Sequence, residues 1–293
     1  MMKVQKIARI TGYILFGLFV FLFFTYLNFP YDKLKDKFFA QVEQKTGLKL
    51  DAAEVKTTWT LGFVFTGVEL SHRAMNIPQV RLNHLKVSPS LLSLLFFRPK
   101  FKFEVEFTEG VLSGTLHQKG KTQDIGLTFD SLNLTKDLKG IFPLDLQGIV
   151  QGGLNVSGDF IQVKELNGNI DLHIQKFGLA QMNFLNMNIP QISLSKMILQ
   201  GTLKNDRFVF EKVDLGGDKE DLQANASGDI QLDPRNFSNS KLNLTVKFKL
   251  SEKMKKEFSL FLPFVANALD SQGFYSLSIT GRLSAPLALP KKS

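Results

Sequence analysis

The chain has 293 residues, enough for one large domain or two modest ones. Hydrophobic residues make up 44 % and charged residues 22 %, which excludes a disordered polymer and points to a globular body. Net charge is +9 and cysteine is absent, so disulfides, thiol catalysis and thiolate metal sites are excluded.

The first element in chain order is an apolar stretch from Ile10 to Leu27. No charged residue falls between Arg9 and Asp32, a run of 22 residues, where about 20 suffice to cross a bilayer as a helix. Lys3, Lys6 and Arg9 precede it, which by the positive-inside rule keeps residues 1–9 in the cytoplasm. Residues 10–29 are then a transmembrane helix and residues 30–293 are exported. A cleaved signal peptide is the alternative. Against it, the apolar core is longer than an ordinary h-region, and the exit Thr25-Tyr26-Leu27-Asn28-Phe29 has no small-residue cleavage pair. An exported β-rich chain without disulfides suits a bacterial envelope better than a eukaryotic secretory route. The five Asn-x-Ser/Thr triplets opened by Asn133, Asn155, Asn225, Asn236 and Asn243 then read as chance.

Residues 31–46 form a helix by pattern: Leu34, Phe38 and Val42 recur every four residues and Gly47 supplies the stop. This helix either packs on the first strands or lies in the membrane interface. Lys33, Lys35 and Lys37 are the candidates for headgroup contact. The remaining excess of cations beyond Arg9 reads either as attraction to anionic lipid or as ordinary solubility. Basic runs interleaved with stacking aromatics are missing, so nucleic acid is not an expected partner.

After Gly47 the hydrophobic period changes to two. Leu61–Phe65, Gly67–Leu70, Val80–Leu82 and Leu85–Val87 lead to Phe101–Phe107 and, later, Leu242–Leu250, both of which alternate without a break. Shorter alternating pieces lie at Ile125–Leu134, Ile170–Ile174, Ile192–Leu203, Phe208–Leu215 and Tyr275–Leu283, punctuated by Gly, Asn, Asp and Ser. The expected body is mainly β: a long curved antiparallel sheet over residues 48–251, with a final strand at 273–284. Two segments break the rhythm. Ser90 to Phe97 reads as a short helix. Residues 252–269 place Met254, Phe258, Phe261, Leu262, Val265 and Leu269 near one face of an amphipathic helix bent at Pro263. Each covers the core or dips into a membrane. Asn155-Val-Ser-Gly-Asp159 and Asn225-Ala-Ser-Gly-Asp229 echo one another 70 residues apart, a faint sign of a repeated sheet module.

No catalytic or metal constellation emerges. His72, His84, His117 and His173 lack the helical spacing of a metal pair and read as polar strand residues facing outward. The stretch Gly114–Thr122 imitates a phosphate loop with one residue too many between its glycines and no helix pattern after it. Asp214, Asp218, Glu220 and Asp221 gather around Gly216-Gly217 without EF-hand spacing. The chain is therefore expected to use no cofactor and to act without catalysis.

The order of pieces is familiar. A single span is followed by Phe29-Pro30-Tyr31, a helix ending Lys45-Thr46-Gly47-Leu48, and a strand closing on Gly67-Val68-Glu69-Leu70. Leu85-Lys86-Val87-Ser88-Pro89-Ser90-Leu91-Leu92-Ser93-Leu94-Leu95, Glu109-Gly110-Val111-Leu112-Ser113-Gly114 and Leu277-Ser278-Ile279-Thr280-Gly281-Arg282-Leu283-Ser284-Ala285-Pro286 follow. Over nearly its whole length the chain resembles the GspN family, the N component of bacterial type II secretion systems, within the broader AsmA-like envelope proteins. The resemblance implies an inner-membrane protein with a periplasmic domain that binds other type II secretion components. Its AsmA-like side implies a hydrophobic groove that holds or moves phospholipid. In that groove an inner face carrying Phe101, Phe103, Val105, Phe107, Leu242, Leu244, Val246 and Phe248 would receive acyl chains. The 28 phenylalanines, against one tryptophan and four tyrosines, favour an interior without polar handles, though core packing explains them equally well.

Overall fold

The computed structural model describes residues 16–17, 36, 39–40, 43–44, 48–58, 62–72, 80–90, 93, 100–138, 145–160, 164–184, 187–233, 236–259 and 261–291. The apolar span 10–29 lies outside them except for Phe16 and Gly17, which are helical and exposed. Lys33, Lys35 and Lys37 also lie outside the described residues. Among the described residues no helix is long and apolar enough to cross a membrane.

From residue 48 onward the chain is mainly β. The strands are β1 (Leu48–Thr57), β2 (Phe63–His72), β3 (Val80–Pro89), β4 (Lys100–Glu106), β5 (Val111–Lys119), β6 (Thr122–Asn133), β7 (Leu146–Asp159) and β8 (Lys164–Leu179). Three short pieces follow, β9 (Met182–Phe184), β10 (Met187–Ile189) and β11 (Ile192–Ser193). The series resumes with β12 (Lys196–Lys204), β13 (Arg207–Leu215), β14 (Leu222–Gln231), β15 (Lys241–Leu250), β16 (Tyr275–Arg282) and β17 (Ala285–Pro290). Fifteen of these form one antiparallel sheet in the order β1 to β8, then β12 to β17, with β11 adding to β8; β9 and β10 pair only with each other. The sheet is thus a meander interrupted once, between β8 and β12. Short polar turns join neighbours, as at Gly120 and Asn205-Asp206, where φ is +63°, +50° and +63°.

Alternation along each strand sorts the residues to two faces, and register carries the sorting across the sheet. Phe103 pairs with Gly114, Gly114 with Leu127, Leu127 with Leu154 and Leu154 with Ile170. The same row continues through Gly201, Phe210, Gly228 and Leu244 to Ile279. One position along, on the other face, Glu104, Ser113, Thr128, Gly153, Asp171 and Gln200 form a polar row. A bulge preserves the sorting in β13: Gly201 pairs with Phe210 but Gln200 pairs with Lys212, so Glu211 is the extra residue.

The buried core lies toward one set of strand ends. It contains Leu132 (1 % exposed), Val68 (0 %), Phe65, Phe107 and Val150, and Phe39 packs against Phe65 with ring centroids 5.2 Å apart and the rings tilted by 42°. Residues 36, 39–40 and 43–44 are helical, in line with a helix over 31–46. Leu34, Phe38 and Val42 lie outside the described residues, and Phe39, which the sequence reading did not select, is the side chain seen to pack. Of the expected helix at Ser90 to Phe97 only Ser93 is described, in a helical turn whose amide donates to the Ser90 carbonyl at 3.0 Å.

Three expectations need correction. Residues 252–269 are not one bent helix: α1 (Glu252–Glu257) and α2 (Leu262–Val265) are separate, and a 3-10 turn, Ala266–Ala268, follows. Pro263 cannot donate a backbone hydrogen bond to the preceding turn, so the helix stops and restarts with Pro263 in the new first turn. Met254, Val265 and Ala268 are buried, but Leu269 is 48 % exposed and forms a bridge to Tyr275. Second, the sheet does not end near residue 284. Ala285-Pro-Leu-Ala-Leu-Pro290 adds an edge strand, where the two prolines are tolerated because the outer side has no neighbour. Third, the two Asn-x-Ser-Gly-Asp segments are not equivalent units. Both lie in strands, but across the sheet Asn155 is in register with Asp229, not with Asn225.

Candidate functional site

Parallel to the row through Phe103 and Leu244 run two more. One contains Phe101, Leu116, Ile125, Val156, Gly168, Leu203, Phe208, Ile230 and Leu242. The other contains Val105, Leu112, Phe129, Gly152, Leu172, Leu199, Val213, Ala226 and Val246. From β4 to β15, nine strands by three rows give 27 positions on one face, and every one is Phe, Leu, Ile, Val, Ala or Gly. At 4.7–4.9 Å per strand and about 6.7 Å between rows, nine strands by three rows cover roughly 870 Å² in plan.

All eight groove candidates read from the sequence lie on this face. Phe101 and Leu242 share the first row, Phe103 and Leu244 the second, Val105 and Val246 the third. Phe107 and Phe248 continue the alternation toward the core. They do not form one pocket. Eight strand spacings separate β4 from β15, about 38 Å, so the eight residues mark the two ends of the surface. Its middle is built by Leu127, Leu154, Ile170 and Phe210, which the sequence reading left out of the set. Their signal was present in the alternation of Ile125–Leu134 and Phe208–Leu215, in segments too short to link without register.

Burial along the face is mixed, and just outside the first row Leu166 is 5 % and Gln123 8 % exposed. In the first row Phe101 is 38 % and Leu116 37 % exposed. The middle row is half-buried throughout its large side chains. Toward the core, Val105, Val213, Leu132 and Val150 are buried. Leu242 is the exception in the first row, at 8 %. The described helices α1 and α2 and the 3-10 turn pack on β15 and β16, at one end of the sheet. Among the described residues no second layer packs across β4 to β8 and β12 to β14, so most of the face has only its own side chains as neighbours. Glycines let those side chains lie low. A Cβ at Gly114 would come within 2.1 Å of the Phe103 ring, so the tip of that ring occupies the space above the glycine.

The closed side is fastened by Asp137, a buried carboxylate. It accepts from the amides of Thr108, Glu109, Gly110 and Asn133 at 3.1, 3.2, 3.1 and 2.9 Å, binding the β4–β5 turn to the end of β6. Beside it, Lys136 and then Asn133 donate to Glu109 and hold its carboxyl below the ordinary range.

The polar face holds ordinary strand-surface chemistry. Arg207 donates twice to Asp229, at 3.0 and 2.9 Å, and Asn243 adds a third donor at 3.2 Å. The guanidinium is the main reason the Asp229 carboxyl titrates below its usual value. All four histidines lie on strands. His84 and His173 are exposed and His117 half-buried, with Asp171 3.1 Å from His173 Nε2. Gly114–Thr122 is a strand and hairpin turn, not a strand leading into a helix. Glu220 in the acidic cluster accepts from the Ser195 and Gly217 amides, Asp221 from the Ser251 hydroxyl and Asp218 from Gln223. Among the described residues no group of three His, Asp or Glu is placed to hold a metal.

No family model, no curated protein and no solved structure matches the chain.

Proposed function

We propose that the apolar face is a groove that holds acyl chains, and that the protein handles lipid in a bacterial cell envelope by binding, without catalysis. One observation carries this: 27 adjoining apolar positions, most of them half-buried, with no covering layer among the described residues across most of their length. A sheet normally buries its apolar face against a second layer. Among the described residues most of this face has no such layer, which leaves it as a site for something else that is apolar. The inherent twist of strands supports the groove shape, because open sheets beyond about ten strands curl. The AsmA-like resemblance points the same way. The apolar stretch Ile10–Leu27 then tethers the groove to the inner membrane, with the sheet in the periplasm.

The test is native mass spectrometry of the full chain after extraction in mild detergent. The expected result is co-purified phospholipid, lost in folded Phe103→Glu and Leu244→Glu variants. Folded wild-type protein without lipid would refute the reading. The tether predicts that the chain stays with membranes through carbonate washing; a shortened soluble form would argue against it.

A second reading, as an accessory component of a type II secretion system, draws on the GspN resemblance and on β17. All six of its residues are exposed, and Leu287 and Leu289, both above 50 %, project on the otherwise polar face beside exposed Leu283. An apolar edge of this kind suits docking to a protein partner. Deleting 285–293 should then release secretion-pore subunits that co-purify with the intact chain. Unchanged co-purification would count against β17 as the contact.

A further inference from the structure

The most exposed apolar side chains gather at the last edge of the sheet. Among the described residues, and Phe16 aside, the six most exposed large apolar residues are Phe237, Phe264, Leu269, Leu283, Leu287 and Leu289, at 48 to 75 %. All follow β14, and they border the β16–β17 hairpin. The Leu283 and Ser284 amides donate to the Ser240 and Ser238 carbonyls at 2.8 and 3.0 Å, which sets the hairpin turn beside Phe237. Leu287 and Leu289 lie on β17 in register with Thr280 and Ser278, on the polar face. At the other end of β16, Leu269 bridges to Tyr275 and α2 packs on the strand.

Charge follows the same boundary. β15, β16 and β17 carry no Asp or Glu, whereas any other three neighbouring strands on the main path of the sheet include at least one. The polar face of these strands carries Lys241, Lys247 and Arg282, and Lys291, just past β17, reaches Thr245 Oγ1 at 3.2 Å beside Leu289. All four cations are exposed. Carboxylates on the bordering elements are engaged or outnumbered. Asp229 is held by Arg207, and Asp270 accepts from the Gln272 and Phe274 amides. Helix α1 sets Glu252 and Glu257 against Lys253, Lys255 and Lys256.

We propose that this edge docks on an anionic bilayer surface. Its leucines and phenylalanines seat among the headgroups, and Lys241, Lys247, Arg282 and Lys291 lie against lipid phosphates. The inference is independent of the groove, whose rows lie on the opposite face. Two observations favour a bilayer over a protein partner. The Lys291 amide donates to the Ser276 carbonyl at 2.9 Å, so the alternation along β17 turns Pro286, Ala288 and Pro290 outward. Proline has no amide hydrogen, so Ala288 is left as the single outward donor of β17 and an added strand would find almost no ladder. The composition also differs from a protein hot spot. Such sites are rich in Trp, Tyr and Arg and poor in Leu. Here leucine and lysine predominate, and Tyr275 is buried.

The test is capture of the full chain, carried in a phosphatidylcholine nanodisc, by sedimenting vesicles. One set of vesicles is phosphatidylcholine alone and the other contains about 30 % phosphatidylglycerol. A chain that stays out of the nanodisc is used free. Each cation near an anionic surface contributes about fivefold, so the four should favour the anionic vesicles by at least about twentyfold at low salt. About 1 M salt should remove the preference. The variant Lys241→Gln, Lys247→Gln, Arg282→Gln, Lys291→Gln should lose it as well. An equal change of charge elsewhere on the sheet, Lys86→Gln, Lys102→Gln, Lys176→Gln, Lys196→Gln, should keep it. Leu283→Ser, Leu287→Ser, Leu289→Ser should weaken capture by the anionic vesicles at least about tenfold. Far-ultraviolet circular dichroism checks that every variant is folded. Equal capture by both vesicle types, capture untouched by the leucine variant, or equal loss in the two lysine variants would overturn the proposal. Folded wild type captured by neither vesicle would also overturn it and leave β17 to a protein partner. The groove reading is decided separately, by retained lipid.

Discussion

An apolar face open to a ligand and an apolar face packed in a core respond differently to the same insult, and Leu154 and Leu132 provide the pair. Leu154 sits at the middle of the central row, half-buried, on β7 between Leu127 and Ile170. Leu132 is 1 % exposed, in the buried core. Fully burying a leucine side chain is worth about 1.5–3 kcal/mol, so a half-buried one contributes about 1 kcal/mol. Glutamate at position 154 keeps its carboxylate in water and adds a few tenths of a kcal/mol in strand propensity. Leu154→Glu should cost about 1–2 kcal/mol, a Tm drop of roughly 2–8 °C at this size. Leu132→Glu instead buries an unpaired carboxylate, at several kcal/mol beyond the lost leucine, against a total stability of about 5–15 kcal/mol.

Thermal and urea unfolding followed by far-ultraviolet circular dichroism measure both costs, and lipid retention is read on the same samples. The expected pattern is a folded Leu154→Glu protein stripped of lipid and a Leu132→Glu protein that fails to fold stably. If Leu154→Glu is as damaging as Leu132→Glu, the chain itself covers the face and the groove argument collapses. A folded Leu154→Glu protein with full lipid retention would place the ligand elsewhere.

Removing the Asp137 carboxylate strands four amides at the closed side, so Asp137→Ala should lower stability by at least about 3 kcal/mol, seen as a shift in urea midpoint, with Asp137→Asn recovering part of it. The Asp229 carboxyl is held below its usual value of 3.8 chiefly by Arg207. Its contribution is therefore complete above that value and lost as pH falls through the lower folded one. Asp229→Asn should lower Tm at neutral pH, and its deficit against wild type should close in strong acid. At Gly228 φ is +125° and a Cβ would lie 2.2 Å from the Asn243 carbonyl oxygen, so Gly228→Ala should cost about 2 kcal/mol or more by calorimetry. Gly217→Ala, with nothing within 4 Å, should stay within about half a kcal/mol of wild type.

Strand identity was legible because Phe101–Phe107 and Leu242–Leu250 alternate strictly, and a period of two has a single structural meaning. The extent of the apolar face was not legible. Whether Leu127, Leu154 and Phe210 share a row with Phe103 depends on strand order and on bulges such as Glu211, which leave no local mark. Glycines at 114, 201 and 228 hid the row further, since a hydrophobicity pattern counts them as gaps whereas the structure uses them as floor beneath phenylalanine rings or as points of close backbone approach. The strand at 285–290 was missed because proline argues against a strand in general and loses that force at a sheet edge. The break before Pro263 was misjudged as a bend because the amphipathic spacing of Met254, Phe258 and Leu262 persists across it.

Among the described residues most of the apolar face has no covering layer, and this has an energetic consequence of its own. Backbone ladders between sequence neighbours hold the meander together, but most of the 27 apolar positions keep part of their contact with water, so the hydrophobic term falls short of what a two-layer domain of this size gains. On the proposed reading, bound acyl chains supply the missing layer. At a lipid concentration 100 times the dissociation constant, mass action adds about 2.7 kcal/mol, comparable with deleting or restoring a buried leucine. Stability and occupancy are then the same quantity measured twice. A substitution at an exposed position of the face that loosens lipid, such as Phe101→Ser, should lower the melting temperature more in lipid than in delipidated protein, a separation that a purely structural role for Phe101 does not produce.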